Sequence, residues 1–138
     1  MRKHKGFTLI ELVVVVMILG ILAAVAAPKL LNTSSTAADN GLKQTLGVVR
    51  DAIERYAADH NGSLPADPTT DLTTYLRGPF PTCPVGGNAV VETTPNPGPL
   101  TGKNTGGKAW LYSTLDGTFI CNSSGPSKSD PNTTYDQF

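Results

Sequence analysis

The stretch that decides the fold lies near the start of the chain, at residues 6–27, and reads GFTLIELVVVVMILGILAAVAA. From Phe7 to Ala27 it holds 21 residues, of which only Glu11 is charged. At a helical rise of about 1.5 Å per residue, this length covers about 31 Å, which matches a bilayer core of about 30 Å. The stretch therefore predicts one membrane-spanning helix over 7–27.

The charges on either side of this run indicate its orientation. Arg2, Lys3 and Lys5 precede it, whereas only Lys29 follows it closely. Because cytoplasmic flanks carry the excess of Lys and Arg, we expect the N-terminus in the cytoplasm and the rest of the chain outside it. A basic start, an apolar run and Ala24-Val25-Ala26 are also typical of a cleaved secretory signal, but this run exceeds the usual length of about 7 to 15 residues.

Glu11 is unusual because a carboxylate inside a membrane segment costs about 2.5–3.5 kcal/mol on insertion scales. It either reaches the membrane interface or meets a partner. Gly6-Phe7-Thr8-Leu9-Ile10-Glu11, with a short basic leader before it and a long apolar run after it, resembles the class III signal of type IV prepilins and type II secretion pseudopilins. The resemblance covers residues 1–31 closely and continues loosely to about residue 65.

This resemblance implies roles for three residues. A prepilin peptidase would cut after Gly6 and methylate Phe7, so that residues 1–6 form a leader. Glu11 would neutralise the N-terminal amine of a neighbouring subunit during filament assembly. Pairing two charges in hydrocarbon removes much of the penalty that each carries alone, so the physical argument agrees with that role.

The helix is expected to continue well past the membrane, over 7–61. Pro28 lacks a main-chain donor and predicts a kink. An apolar stripe at helical spacing predicts that the second half of the helix packs on the rest of the protein; its members are Leu42, Leu46, Val49, Ile53 and Tyr56. Asn61-Gly62 predicts the end of the helix.

Residues 62–138 are expected to form a small body outside the membrane. Gly and Pro make up 17 of the 54 residues from 78 to 131, so turns dominate and regular elements are short. We predict a short helix over 71–76 and a β-hairpin of 108–113 and 118–121 around Asp116-Gly117, to which 89–93 adds a third strand. The fold class is α+β and pilin-like: a long N-terminal helix, half transmembrane and half amphipathic, packed on a small antiparallel sheet with Gly/Pro-rich loops.

Cys83 and Cys121 are the only cysteines. Outside the cytoplasm a disulfide is permitted, and closing this 39-residue loop contributes about 3–4 kcal/mol in the chain-entropy model. We favour a disulfide, with two free buried thiols and a redox or metal role left open. The spelling Cys83-Pro84-Val85-Gly86-Gly87 also resembles competence pseudopilins, which bracket their sheet with a cysteine pair.

Calcium is the one cofactor that the sequence suggests, and none is certain. The resemblance to major pseudopilins, which hold calcium with aspartates of a C-terminal loop, makes Asp116, Asp130, Asn132 and Asp136 candidate ligands. Oxygen-bearing side chains at short spacing are what calcium requires, but the same residue types also describe a frayed terminus.

Other functions find little support in the sequence. With two histidines and no recognisable nucleophile, metal or phosphate-binding motif, the chain has no catalytic set and is not expected to be an enzyme. Eleven basic against eleven acidic residues give a net charge of zero, and Lys103, Lys108 and Lys128 are scattered, so no direct nucleic-acid binding is expected.

The function implied is a structural subunit of a type II secretion pseudopilus. Two further resemblances favour it, namely Ala27-Pro28-Lys29-Leu30-Leu31 and the C-terminal hairpin of major pseudopilins in Gly107, Trp110, Tyr112, Gly117 and Asn122. The alternative is a type IV pilus or competence pilin used in adhesion, motility or DNA uptake. The expected partners are further copies of the chain and other pseudopilins, the prepilin peptidase, an assembly platform and the lipid of a bacterial inner membrane.

Overall fold

The computed structural model describes residues 6–103 and 106–138, and at 30–32 it describes the backbone alone. Most of the predicted leader, residues 1–5, lies outside the described residues. The elements are, in chain order, α1 (Leu9–Asp59), α2 (Pro68–Asp71), β1 (Val91–Thr94), β2 (Trp110–Ser113), β3 (Phe119–Cys121) and a 3-10 turn at Tyr135–Gln137. The chain forms two compact units that divide between Ser34 and Ser35.

Helix α1 dominates the chain, with 51 residues from Leu9 to Asp59. It runs through Pro28 without interruption, so the long helix is confirmed, whereas the kink stays a prediction. The helix ends as Asn61-Gly62 indicates: Asn61 has a φ of 55°, and the Gly62 nitrogen donates a 2.7 Å hydrogen bond to the Ala57 carbonyl. Such a left-handed ending satisfies carbonyls that the last turn leaves free.

The second part of α1 packs on the sheet through the predicted stripe. Its leucine, valine and isoleucine members are at most 4% exposed, but Tyr56 is only partly buried. They form one apolar cluster with side chains of the sheet, chiefly Trp110, Tyr112 and Phe119. Because each fully buried large apolar side chain contributes about 1.5–3 kcal/mol, this cluster supplies the main stabilisation of the body.

The hairpin of β2 and β3 is confirmed, with Leu111 opposite Ile120 in an antiparallel register and Gly117 at a φ of 76° in the turn. The third strand exists too, but the sheet is mixed and the prediction of a wholly antiparallel sheet was wrong: β1 runs parallel to β2, with Val91 opposite Trp110. The physical reason is the connection between β1 and β2. Parallel neighbouring strands need a crossover of a dozen or more residues, and about fifteen residues separate β1 from β2.

The crossover between β1 and β2 is held by three polar side chains from elsewhere in the body. Its main-chain nitrogens donate hydrogen bonds to acceptors in the hairpin turn, in the residue after β3 and in the C-terminal turn. These pairs are Gly98 to Asp116 at 2.6 Å, Gly102 to Asp136 at 2.9 Å and Lys103 to Asn122 at 2.8 Å. The loop therefore gains fixed partners for main-chain groups that lack a ladder.

The short helix lies earlier than predicted, at Pro68–Asp71 rather than 71–76. Its start is set by Asp67, whose carboxylate accepts a hydrogen bond from the Thr69 nitrogen at 2.9 Å, and by Pro68 in the first turn. Both features favour a helix N-terminus. The following residues form turns, and the Thr73 hydroxyl donates to the Thr70 carbonyl at 2.9 Å instead of extending the helix.

Candidate functional site

Helix α1 begins at a reciprocal pair of residues, Thr8 and Glu11. Glu11 Oε2 accepts hydrogen bonds from the Thr8 nitrogen at 2.8 Å and from the Thr8 hydroxyl at 2.7 Å, and the Glu11 nitrogen donates back to the Thr8 hydroxyl at 3.3 Å. This is a capping box, which satisfies main-chain donors that the first turn leaves unpaired. The Thr-x-x-Glu spacing is a sequence signal for this cap, and it is independent of the position of Glu11 in a membrane segment.

Phe7 and Glu11, two of the three residues predicted to act in processing and assembly, lie beside one groove. Together with Ile10, Val14 and Val15 they line an open groove of about 310 Å³. Phe7, which precedes the first residue of α1, is 82% exposed. The groove therefore presents one carboxylate within an apolar surface.

Gly6 lies before the first residue of the helix, and its described surroundings leave room for a side chain. A Cβ atom added at Gly6 would meet no atom of the described residues within 4 Å. The preceding residues are outside the described part. The cleavage role that the resemblance gives Gly6 stays a prediction.

The first part of α1 exposes its apolar side chains instead of burying them. From Leu9 to Val25 its large apolar residues are 45–80% exposed. By length and composition, α1 is the one helix in the described chain that could cross a membrane. Glu11 is the only charged residue on it before Lys29. A helix that is apolar all round is typical of a membrane segment or of the core of an assembly.

The two cysteines lie together in the interior of the body, as a disulfide would require. The Sγ atoms of Cys83 and Cys121 are 3.7 Å apart, and both residues are 1% exposed. Both are free thiols in the structure. The hydrogen bond between the two thiols lowers the pKa of Cys83 and raises the pKa of Cys121. A bond between them needs an approach to about 2.05 Å, so the disulfide stays a prediction.

The three aspartates among the four candidate calcium ligands do not cluster in the described residues, and calcium binding stays a prediction. Within the described residues, no three Asp, Glu, His or Cys side chains come together as a metal cluster. Asp116 accepts hydrogen bonds from the Gly98 and Thr118 nitrogens, and these donors lower its pKa. The other two carboxylates also have local donors, which for Asp130 are the Asn132 nitrogen and the Thr133 hydroxyl and for Asp136 the Gly102 nitrogen and the Thr134 hydroxyl.

Asp39 is a buried polar residue of α1 that the predicted stripe did not include. It is 1% exposed, and its Oδ2 accepts hydrogen bonds from the Ser127 hydroxyl at 2.5 Å, from the Ser129 nitrogen at 3.0 Å and from the Ser129 hydroxyl. Burial disfavours the charged form, but the hydrogen bonds from these serines outweigh it and lower the pKa of Asp39. Its position three residues before Leu42 is the sequence signal for this burial.

Arg50 makes a second polar contact between α1 and the C-terminal part of the chain. Its guanidinium donates to the Phe119 carbonyl from Nε at 3.1 Å and from Nη2 at 2.9 Å. Nη2 also donates to the main-chain oxygen of Phe138 at 2.7 Å. Arg50 thus supplies partners to main-chain acceptors of β3 and of the last described residue.

The comparisons with known proteins agree with the N-terminal geometry. Residues 1–27 match the family model for the prokaryotic N-terminal methylation motif. The chain is 44% identical over 71 residues to a fimbrial protein of Eikenella corrodens, and 39% identical over 71 residues to type II secretion system core protein G of Vibrio cholerae. Each match covers 51% of this chain, and the chain spans 44% and 46% of those two relatives.

A longer match extends into the body. The chain is 32% identical over 122 residues to the major component of the type IV narrow pilus of Thermus thermophilus, which covers 88% of this chain and 82% of that protein. No solved structure matches the chain. With the methylation motif at its start and this match over most of its length, the chain belongs to the type IV pilin-like family, which includes the pilins and the pseudopilins.

Proposed function

We propose that the protein is a structural subunit of a type II secretion pseudopilus. A prepilin peptidase removes residues 1–6 and methylates Phe7, and the mature chain is stored as a single-pass protein of the bacterial inner membrane. Copies of it, with other pseudopilins, then polymerise on an inner-membrane assembly platform into a filament that moves proteins out of the cell. The N-terminus faces the cytoplasm before cleavage, and the body lies on the other side of the membrane.

The observation that carries this proposal is the exposure of the first part of α1. Large apolar side chains from Phe7 to Val25 are 45–82% exposed, whereas large apolar side chains from Leu42 to Ile53 are buried, apart from Val48. Burial of apolar surface is the main favourable term in association, so an all-round apolar helix of this length needs either lipid or other helices. A subunit that moves from membrane to filament meets both in turn.

Glu11 is the residue that we expect to guide assembly. Once the chain is cut after Gly6, the Phe7 nitrogen becomes a terminal amine four residues from the Glu11 carboxylate. In the single chain, Glu11 Oε2 is already held by Thr8. In a filament, the groove that Glu11 shares with Phe7 offers a carboxylate to the amine of a neighbouring copy, and this charge pair fixes the axial register because an unpaired charge in an apolar core is costly.

Intact-mass measurement of the protein from a cell with an active prepilin peptidase tests the processing step. We expect a mature chain that begins at Phe7 and carries one added methyl group. A matched strain without the peptidase should yield the uncut chain. A mature chain that begins near Ala27 would instead show a cleaved secretory signal and overturn the proposal.

A type IV pilus subunit is the second candidate, and the long match to the narrow pilus component of Thermus thermophilus favours it. Such a filament would serve adhesion, motility or DNA uptake. Deletion of the gene separates the two candidates. Loss of exported proteins from the medium, with surface motility and DNA uptake retained, supports the pseudopilus; the reverse pattern supports the pilus.

A further inference from the structure

The strongest feature outside the assembly helix is the C-terminal segment 125–135, which closes on itself before it meets α1. The Ser127 nitrogen donates to the Thr133 carbonyl at 2.8 Å, and the Tyr135 nitrogen donates to the Gly125 carbonyl at 3.1 Å. A single β-bridge joins Pro126 and Thr134. We call this segment the C-terminal loop. Its own hydrogen bonds give it a shape but do not attach it to the helix.

We infer that the Asp39 carboxylate of α1 is the latch that holds the C-terminal loop on the body, and that no metal ion is needed for this. Ser127 and Ser129 supply three donors to one carboxylate oxygen across 88 to 90 positions of sequence. Ser127 is 3% exposed and Asp39 is 1% exposed, so the contact between these two side chains is buried, whereas Ser129 lies at the surface. Hydrogen bonds to a charged acceptor are about twice as strong as neutral ones, which makes Asp39 the main polar attachment of this loop.

The chemistry around the latch disfavours a cation. Asp39 Oδ2 faces the Ser129 N–H group and serine hydroxyls that donate to it, whereas calcium needs about six to eight oxygen ligands that all present lone pairs. Asp39 Oδ1 is buried without a hydrogen-bond partner among the described residues. It is the one candidate ligand left over, and no second and third carboxylate of the described chain join it.

Detachment of the C-terminal loop can be measured by proteolysis, because exposed Lys128 lies between the two serines of the latch. Trypsin cuts after Lys128 only when the loop detaches and fits the protease. The experiment uses the full chain in detergent micelles, with mass spectrometry to follow release of 129–138. Cleavage after Arg50, which is in the middle of α1, reports unfolding of the whole body and serves as the internal reference.

We expect Asp39→Asn to raise the rate of cleavage after Lys128 about tenfold or more, because the charge-assisted bonds are lost, while cleavage after Arg50 stays much slower than cleavage after Lys128. Asp51→Asn, at an exposed position of the same helix, is the matched control and should behave as wild type. Ser129→Ala removes one hydroxyl donor and should give a smaller increase. It also keeps the test decisive if Asp39→Asn unfolds the body.

Measurements with calcium and with a chelator test the second part of the inference, that no metal ion is needed to hold the C-terminal loop. We expect the wild-type rate after Lys128 to be the same with calcium and with EDTA. If calcium slows cleavage relative to EDTA, a metal holds the loop and the inference is wrong. If both Asp39→Asn and Ser129→Ala cleave at the wild-type rate, Asp39 is not the latch.

Discussion

The two parts of helix α1 use the same secondary structure for opposite purposes. Up to Val25 the helix leaves its large apolar side chains 45–80% exposed and has one charged residue. From Asp39 onward it buries one face against the sheet and uses Asp39 and Arg50 to hold the chain that follows. One part is built for contacts with other molecules, and the other completes the core of its own body.

The most direct test of this division between the two parts of α1 is a substitution of Glu11. We expect Glu11→Ala to insert in the membrane and to be processed, but to form no filaments, because the neighbouring amine then enters an apolar core without a partner. Electron microscopy of sheared filaments, together with immunoblots of the membrane fraction, measures both results.

Glu11→Gln separates the two roles of this side chain. Glutamine retains an acceptor for the capping box but has no charge. If pairing with an amine is the essential function, Glu11→Gln should fail as Glu11→Ala does. Normal filaments from Glu11→Gln with none from Glu11→Ala would show that the cap matters and the charge does not.

The second largest effect that we predict is the stabilisation of the body by the cysteine pair. We expect protein recovered from outside the cytoplasm to hold a Cys83–Cys121 disulfide, formed when the two thiols lose two protons and two electrons to a thiol–disulfide oxidoreductase. Oxidised protein should exceed the reduced form by about 3–4 kcal/mol in the free energy of unfolding. If both cysteines react with an alkylating reagent when the protein is denatured without a reductant, no disulfide is present and the prediction is contradicted. Cys83→Ala, which cannot form the disulfide, is the matched reference for the reduced form.

Leu46 and Leu12 form a matched pair across the two parts of the helix. Leu46 is 1% exposed and Leu12 is 61% exposed. Leu46→Ala should lower the free energy of unfolding of the body by about 3 kcal/mol, because it removes buried contacts and leaves a cavity. Leu12→Ala should leave that quantity unchanged. Denaturation of full-length protein in detergent, followed by the fluorescence of buried Trp110, measures both; similar losses from the two variants would contradict the division.

The difference between the two parts also explains what could be predicted from the sequence. The apolar run, the stripe at Leu42, Leu46 and Val49, and the Asp-Gly hairpin depend on local spacing, and the structure has all three elements. The direction of β1 depends on where a long Gly/Pro-rich crossover returns, which no local pattern encodes.

The polar contacts of the site were predictable only in part. Thr8 and Glu11 have the spacing of a capping box, so that bond was accessible from the sequence. Asp39 meets serines about 90 positions away, and Asp116, Asp130 and Asp136 each meet donors from turns and loops. A carboxylate in the sequence looks the same whether it will bind a cation or accept main-chain N–H groups, and only the fold distinguishes them.

The smallest effect that we predict concerns the acid stability of the body. The hydrogen bonds from Ser127 and Ser129 lower the pKa of Asp39 in the folded state, so its contribution is complete above the unfolded pKa of about 3.9 and is lost as the pH falls through the folded value. Asp39→Asn lacks this contribution at every pH. The free energy of unfolding of wild type should therefore exceed that of Asp39→Asn by about 2 kcal/mol at pH 6, and the difference should shrink below about pH 4.

Comparison of these two proteins isolates Asp39 from the other groups near it. The pKa of Tyr135, whose hydroxyl lies beside the carboxylate, is raised from an already alkaline value. Asp130 titrates in acid too, but it does so in both proteins and cancels in the difference. Fluorescence of Trp110 during denaturant titrations from pH 7 to pH 2.5 provides the measurement. A difference that stays constant over this range would mean that the Asp39 carboxylate stabilises the body by its shape and not by its charge.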